Sequence, residues 1–174
     1  METQKSSSNQ IMLNYGLMLG LAGVLLSVII FAVGKTYDQH WSVSVISVLI
    51  SVTIIVLGIK KFKESKEGYL SLSDALKIGL GIALIGGIIS VIYTFIFTSY
   101  IEPDYFKNMG DVQFQKMLEQ NPTMSDEQLD AINESMKKFS GPGITSAFII
   151  IWSLFSGFII SLIGGAIMKK SKEE

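Results

Sequence analysis

The sequence predicts an all-α fold: a polytopic membrane protein whose four transmembrane helices form a compact bundle, with an external amphipathic helical segment between helices three and four. The first observation is that charged residues are absent from four long apolar stretches, residues 11–33, 41–59, 78–101 and 143–168. At 1.5 Å rise per residue, about 20 residues cross a ~30 Å hydrocarbon layer as a helix. The second is that these stretches lack the alternation, over about 10 residues, of transmembrane strands. The third is the polar, acidic segment 102–142 between the last two stretches.

Composition excludes several classes of function. With 174 residues, 49% of them hydrophobic and 17% charged, the chain suffices for one domain, residues 1–174. The absence of cysteine excludes disulfides and thiolate metal sites. All 14 basic residues are lysine, so bidentate arginine clamps for phosphate are absent. The net charge of −1 and the lack of a basic stripe give no indication of nucleic-acid binding, and no cofactor is predicted.

The first apolar stretch, residues 11–33, exceeds the 7–15 apolar residues of a signal-peptide core. We therefore expect an uncleaved helix that also serves as the targeting signal. A cleaved signal peptide is the alternative, because Ala32 and Gly34 are small residues suited to a cleavage site.

Lysine distribution predicts the orientation of the chain. Lysines cluster in the loop after the second stretch and in the tail after the fourth, and one precedes the first stretch. They are Lys60, Lys61, Lys63, Lys66, Lys169, Lys170, Lys172 and, before the first stretch, Lys5. Residues 101–139 instead carry four lysines against eight carboxylates, a net charge of −4. Since lysine is retained on the cytoplasmic side, both termini and loop 60–77 are predicted to be cytoplasmic, and loop 102–142 external.

Small residues recur at intervals of four in three of the predicted helices, where they allow close approach of backbones in lipid. They predict helix-packing faces within one bundle; the alternative is that the fourth helix forms a homodimer seam. The positions are Gly16, Gly20, Gly79, Ala83, Gly87, Ser153, Gly157, Ser161 and Gly165.

Local signals mark helix ends outside the apolar stretches. Gly68 ends the second helix, and Ser71 or Ser73 can cap the third. In the external helix 126–139, Ser125 and Gln128 have the spacing of a capping box. That helix carries an apolar stripe suited to the membrane surface, the mouth of the bundle or a partner, formed by Leu129, Ile132, Met136 and Phe139.

Residues that could carry chemistry are few. No ionisable residue lies at the centre of a predicted span, which argues against a proton-coupled transporter. The only weak candidates for a metal site are Asp38, His40, Glu102 and Asp104, which could meet at the external surface. We expect a polar turn beside interfacial Trp41 instead of a metal site. No nucleophile elbow, zinc-protease or phosphate-loop motif is present, so no enzymatic activity is predicted.

The sequence YTFIFTSYIEPDYF, residues 93–106, marks the end of the third span. Tyrosines are favoured at membrane interfaces, and Pro103 biases Glu102 away from helical geometry. We expect a helix exit anchored by Tyr93, Tyr100 and Tyr105. The alternative is a site that uses Glu102.

Four segments together resemble a small polytopic bacterial membrane family called domain of unknown function 4199. They are the first-helix segment NYGLMLGL, the start of the third helix YLSLSDALKIG, its exit IEPDY and the external helix MSDEQLDAINESMKKF. The resemblance covers nearly the whole chain in order, and it implies the four-helix layout and a location in a bacterial inner membrane. It implies no activity and no catalytic residues.

The first functional hypothesis is a non-enzymatic interaction or membrane-organising protein. Its partners would be the lipid bilayer and either another protein or a second copy, contacted through the small-residue stripes or the external helix 126–139. The alternative is a small transporter or channel component that acts as an oligomer. A membrane-embedded enzyme comes third and requires the carboxylates and His40 to come together.

Overall fold

The computed structural model of the protein describes residues 7–38 and 40–170, and these residues are almost entirely helical. The helices are α1 Ser8–Ala32, α2 Trp41–Ser65, α3 Leu72–Ile96, α4 Tyr105–Gln120, α5 Asp126–Phe139 and α6 Pro142–Met168. A π-helical turn, Phe97–Ile101, continues α3. The predicted all-α class is confirmed.

Four helices in the described part of the chain are long and apolar enough to cross a membrane: α1, α2, α3 with its π turn, and α6. These helices are longer than the predicted spans, most clearly in α2 and α3, because the helical backbone continues into the polar residues between them. Only residues 66–71 separate α2 from α3, and there Gly68 has a left-handed φ of +88°. The Ser71 side chain caps α3 by accepting a hydrogen bond from the Asp74 backbone N–H at 3.1 Å.

The bundle is organised around α3, whose largest interfaces are with α6 and α1, while α2 contacts α1, α6 and α3. We call the end that holds the start of α1 and the end of α6 the terminal end, and the opposite end the α4–α5 end. The half of the bundle nearest each end takes the same name. Helices α4 and α5 contact each other and add only minor contacts to the long helices.

The apolar core lies in the terminal half and at mid-bundle. Ile55, Ile59, Ile78 and Ile82 are essentially fully buried there. The same end is fastened by polar contacts, because the Lys63 ammonium donates to the Met168 carbonyl at 2.7 Å. Leu70 and Lys170 exchange backbone hydrogen bonds, each 3.0 Å long. Helices α2, α3 and α6 are therefore joined directly at the terminal end.

Candidate functional site

The two α1 glycines of the predicted packing face lie against α3. A Cβ added at Gly16 would lie 2.6 Å from Ile85 Cβ, and one added at Gly20 would lie 2.6 Å from Ile89 Cβ. No real Cβ fits at these distances, so glycine is required where α1 crosses α3.

The stripe of α6 also lies against α3, within the same chain. Ser161 is fully buried, and its hydroxyl would overlap a Cβ at Gly79. Gly157 and Gly165 face Ala83 and Ala75, respectively. Closer to the α4–α5 end, the Ser153 hydroxyl donates to the Ala83 carbonyl and would lie 2.8 Å from a Cβ at Gly87. The predicted α6 positions thus contact α3 in the structure, and this face is covered within one chain.

The α4–α5 half contains a partly open cavity of about 670 Å³. It extends from Ile55 and Ala83 at mid-bundle to Thr36 and Tyr105 at the α4–α5 end, and all four long helices line it. Its size falls within the ~300–1,000 Å³ of ligand pockets. None of the described residues that line it is charged. This cavity is the candidate functional site.

The cavity exists because small side chains face it without filling it. Gly23, one turn after Gly20 in α1, lines the cavity and has nothing within 4 Å of an added Cβ. Several lining serines bond their hydroxyls back to helix carbonyls, which satisfies the donor of each hydroxyl. These are Ser47 to Val43, Ser51 to Ser47, Ser90 to Gly86, Ser153 to Ala83 and Ser156 to Ser153. They serve mainly as small residues that leave space.

Aromatic side chains line the cavity toward the α4–α5 end. The buried Phe97 ring contacts Phe31 edge-on at 5.2 Å, stacks with Tyr93 at 5.7 Å and contacts Tyr105 edge-on at 5.6 Å between centroids. Such offset and edge-to-face pairs are favourable beyond their buried area. Because Tyr105 begins α4, this aromatic cluster joins α4 to α1 and α3. Tyr100, by contrast, is exposed.

The π turn brings the end of α3 to this cluster. Its characteristic bond runs from the Glu102 N–H to the Phe97 carbonyl, 2.8 Å long and five residues apart. Single π turns inside α-helices are frequently found at functional sites. Here the turn contains Phe97 and Thr98, both buried and both lining the cavity.

Glu102 belongs to a hydrogen-bonded group that we call the latch, formed by Tyr37, Glu102 and Asn108. The Tyr37 hydroxyl donates to Glu102 Oε1 at 3.0 Å, and the Asn108 amide donates to the same oxygen at 3.2 Å. Burial raises the pKa of Tyr37, and the neighbouring Glu102 charge raises it further, while the Asn108 hydrogen bond lowers it. Tyr37 also packs on the Tyr105 ring at 5.8 Å. The latch therefore fastens the start of α4 to the turn after α1.

The four weak metal candidates do not come together. Asp38 pairs with Lys116 at 2.9 Å, and that hydrogen bond is the main cause of the lowered pKa of Asp38. His40 Nδ1 caps α2 through the Ser42 backbone N–H at 3.4 Å. Asp104 is exposed and makes no capping hydrogen bond. Within residues 7–38 and 40–170, no three His, Asp or Glu side chains are grouped to hold a metal ion.

Helix α5 has the capping box expected from the sequence. The Ser125 hydroxyl accepts from the Gln128 N–H at 3.4 Å, and the Gln128 side chain accepts from the Ser125 N–H at 3.1 Å. On its apolar stripe, Leu129 and Ile132 are half-buried, while Phe139 is 72% exposed. The long helices cover little of α5.

Sequence reasoning treated residues 93–106 mainly as a boundary and missed the cavity. Tyr37 and Asn108 are not part of any recognisable sequence motif. Tyr37 is 65 residues from Glu102 in sequence and Asn108 is 6 residues from it, so their pairing depends on the fold. One local signal existed: Tyr93 and Phe97 are four residues apart, and such pairs share one helix face.

Comparison with known proteins places the chain in a family but gives it no activity. No curated protein and no solved structure matches it significantly. The profile of the family described as "Protein of unknown function (DUF4199)" matches residues 14–170, nearly the whole chain. The protein therefore belongs to the DUF4199 family.

Proposed function

We propose that this integral membrane protein is non-enzymatic and acts by association with a partner through α5. The observation that carries the proposal is the exposed Phe139 at the end of the apolar stripe, on a helix that has its own capping box and few contacts with the bundle. Phe139, at 72% exposure, leaves a large aromatic surface for a partner to cover. Aromatic side chains of this kind are enriched among residues that dominate protein interfaces.

Photocrosslinking in cells tests the association. A photoreactive residue replaces Phe139 on the stripe or, as the matched control, exposed Asp130 on the same helix. We expect one defined protein adduct from position 139, a much weaker one from position 130, and loss of the first when Leu129→Glu charges the stripe. An adduct of twice the chain mass would identify the partner as a second copy. Adducts with lipid alone, together with a monomeric purified protein, would overturn the proposal.

The proposed location is a bacterial inner membrane, with both termini and the 66–71 connection in the cytoplasm and α4–α5 outside. Support comes from the lysines that flank this connection and the acidic character of residues 101–139. Because the chain has no cysteine, single-cysteine variants can be labelled directly. A membrane-impermeant maleimide should label Asn133→Cys in intact spheroplasts and Ser65→Cys only after permeabilisation. The reverse pattern would overturn the topology.

A small transporter or channel component is the second candidate, and the 670 Å³ cavity favours it. Ser51 lines the cavity, so Ser51→Phe should obstruct a pathway that uses it. Proteoliposomes containing the wild type should then pass small neutral solutes faster than those containing the folded Ser51→Phe variant. Equal permeability of both, at the level of empty liposomes, would reject this candidate.

A further inference from the structure

We propose that the cavity of the α4–α5 half is a binding site for one membrane glycerolipid, with an acyl chain between the four long helices and an ester carbonyl at Tyr93 and Tyr105. This site is separate from the association surface on α5, because α5 contributes no residue to the cavity lining. The two proposals can therefore succeed or fail independently.

The body of the cavity suits a hydrocarbon chain. The described lining residues are uncharged and are dominated by aliphatic, aromatic and small side chains, among them Val48, Ile55 and Ile159. The serines between them already donate to helix carbonyls, as at Ser47 and Ser90. A hydrocarbon chain in this space therefore covers serine hydroxyls whose donors are already used, whereas a charged solute would be desolvated without compensation.

The α4–α5 end of the cavity has different chemistry. Tyr93 and Tyr105 line it, and neither phenol makes a hydrogen bond to another described residue. Both phenol oxygens are accessible. Every fully buried side-chain oxygen in the described part of the chain has a hydrogen-bond partner, and these two oxygens have none. Both rings contact Phe97, at 5.7 and 5.6 Å between centroids, so the two tyrosines lie on the same part of the wall. Burial raises the pKa of Tyr105. Both phenols stay protonated at neutral pH and so present donors that an ester carbonyl accepts.

The length of the cavity matches one leaflet. Its α3 lining runs from Ala83 to Thr98, on the order of 20 Å of helix. One leaflet contributes roughly 15 Å of hydrocarbon, and ester carbonyls follow at the interface. An acyl chain that reaches mid-bundle thus places its ester beside the two tyrosines at the end of α3.

The shape of the cavity suits lipid better than a transmembrane helix. A helix is a stiff cylinder about 10–12 Å across. A hydrocarbon chain is narrower and flexible enough to follow the irregular wall formed by Gly23 and the lining serines.

Native mass spectrometry of the delipidated full-length protein, titrated with palmitoyl-oleoyl phosphatidylglycerol, tests the site. The key variant is Ser47→Phe, which places a ring in the cavity, and the matched control is Ser44→Phe, because Ser44 is exposed on the same helix outside the cavity lining. We expect the wild type and Ser44→Phe to bind one lipid with equal affinity, and Ser47→Phe to bind it at least tenfold more weakly. Equal affinity in all three proteins would show annular lipid only and overturn the proposal.

A double variant tests the two phenols without adding bulk to the cavity. Tyr93→Phe combined with Tyr105→Phe removes both phenol donors and keeps both rings. We expect roughly threefold to tenfold weaker binding of the ester lipid, as for the loss of one net hydrogen bond. Binding of an ether-linked analogue, which lacks the carbonyl, should not change between this variant and the wild type. If Ser47→Phe fails to fold, this comparison decides, and an equal loss for both lipids would overturn the role of the phenols.

Discussion

The two halves of the bundle use the same residue types and reach opposite results. In the terminal half, glycine and serine draw α3 against α1 and α6, and the side chains close around Ile59, Ile78 and Ile82. In the α4–α5 half, glycine and serine surround a cavity of about 670 Å³. One end is fastened by direct contacts between long helices, the other by an aromatic cluster and the latch.

The difference teaches that a small residue brings two helices together only where a side chain of the neighbouring helix meets it. Gly16 and Gly20 each face a branched isoleucine of α3, which fills the space that the missing side chain provides. Gly23, in the next turn of the same helix, faces nothing within 4 Å. In lipid the hydrophobic drive between helices is small, so such a space is not closed by collapse.

The largest effect is expected from a substitution that disrupts packing in the terminal half. Gly79→Ala should lower the free energy of unfolding by about 1–3 kcal/mol, because the new Cβ overlaps the Ser161 hydroxyl. Gly23→Ala is the matched control and should change it by less than about 0.5 kcal/mol. The measurement is unfolding by SDS in mixed micelles. Equal losses for the two variants would remove the contrast between the halves.

The next largest effect is expected from a substitution that loosens only the α4–α5 end. Glu102→Ala deletes the acceptor shared by Tyr37 and Asn108 and should speed hydrogen exchange in α4 about tenfold, the effect of losing roughly one to two net hydrogen bonds. Asp104→Ala, two residues away, removes a carboxylate without a capping hydrogen bond and should leave exchange unchanged. Exchange in the terminal half should stay constant in both. Faster exchange throughout the protein would mean that the latch supports the whole bundle.

Alkaline pH should have a smaller effect on the same end. Burial raises the pKa of Tyr37 above its ordinary value of 10.0, so the folded state favours the neutral phenol. Its contribution is complete below pH 10 and is lost as the pH rises through the raised value. Brief proteolysis at Lys107 and Lys116 should therefore increase above pH 10 in the wild type. In Tyr37→Phe the increase should be weaker and should start from a higher baseline; an identical pH profile would contradict the role of this phenol.

The smallest effect concerns the exposed pair of Asp38 and Lys116. Lys116→Gln should leave the unfolding midpoint within measurement error, because solvent screens such pairs. The lowered pKa of Asp38 means that any contribution exists at neutral pH and disappears as the pH falls below 3.8. The unfolding midpoints of the wild type and Lys116→Gln are compared at low and at high salt. A lower midpoint for Lys116→Gln at low salt would assign the pair a structural role.

Elements of the fold whose signals are local could be predicted from sequence. Uninterrupted apolar stretches marked the four long helices, and Ser125 with Gln128 marked the start of α5. The start of α4 at Tyr105 has no such local signal. Its opening turn is held by contacts to Phe97 and Tyr37, which are distant in sequence.

The candidate site was less predictable because it depends on what faces each residue across the bundle. The interval of four was the same for Gly16, Gly20 and the α6 serines, whether they contact a neighbour or line a cavity. Likewise, Glu102 was recognised as noteworthy, but its partners Tyr37 and Asn108 were identified only by the fold. Spacing predicts which residues share a face, and it does not predict the size of the opposing side chain.

The π turn of α3 has a consequence for helical phase. Each residue of an α-helix turns the chain by about 100°, and a π turn accommodates roughly one residue more. This turn is the last of α3, and the backbone of Glu102, which follows it, is no longer helical. Deleting Ser99 would shift Glu102 by about 100° around the helix axis, away from Tyr37. The packing of Gly79 on Ser161 lies before the turn and would not change.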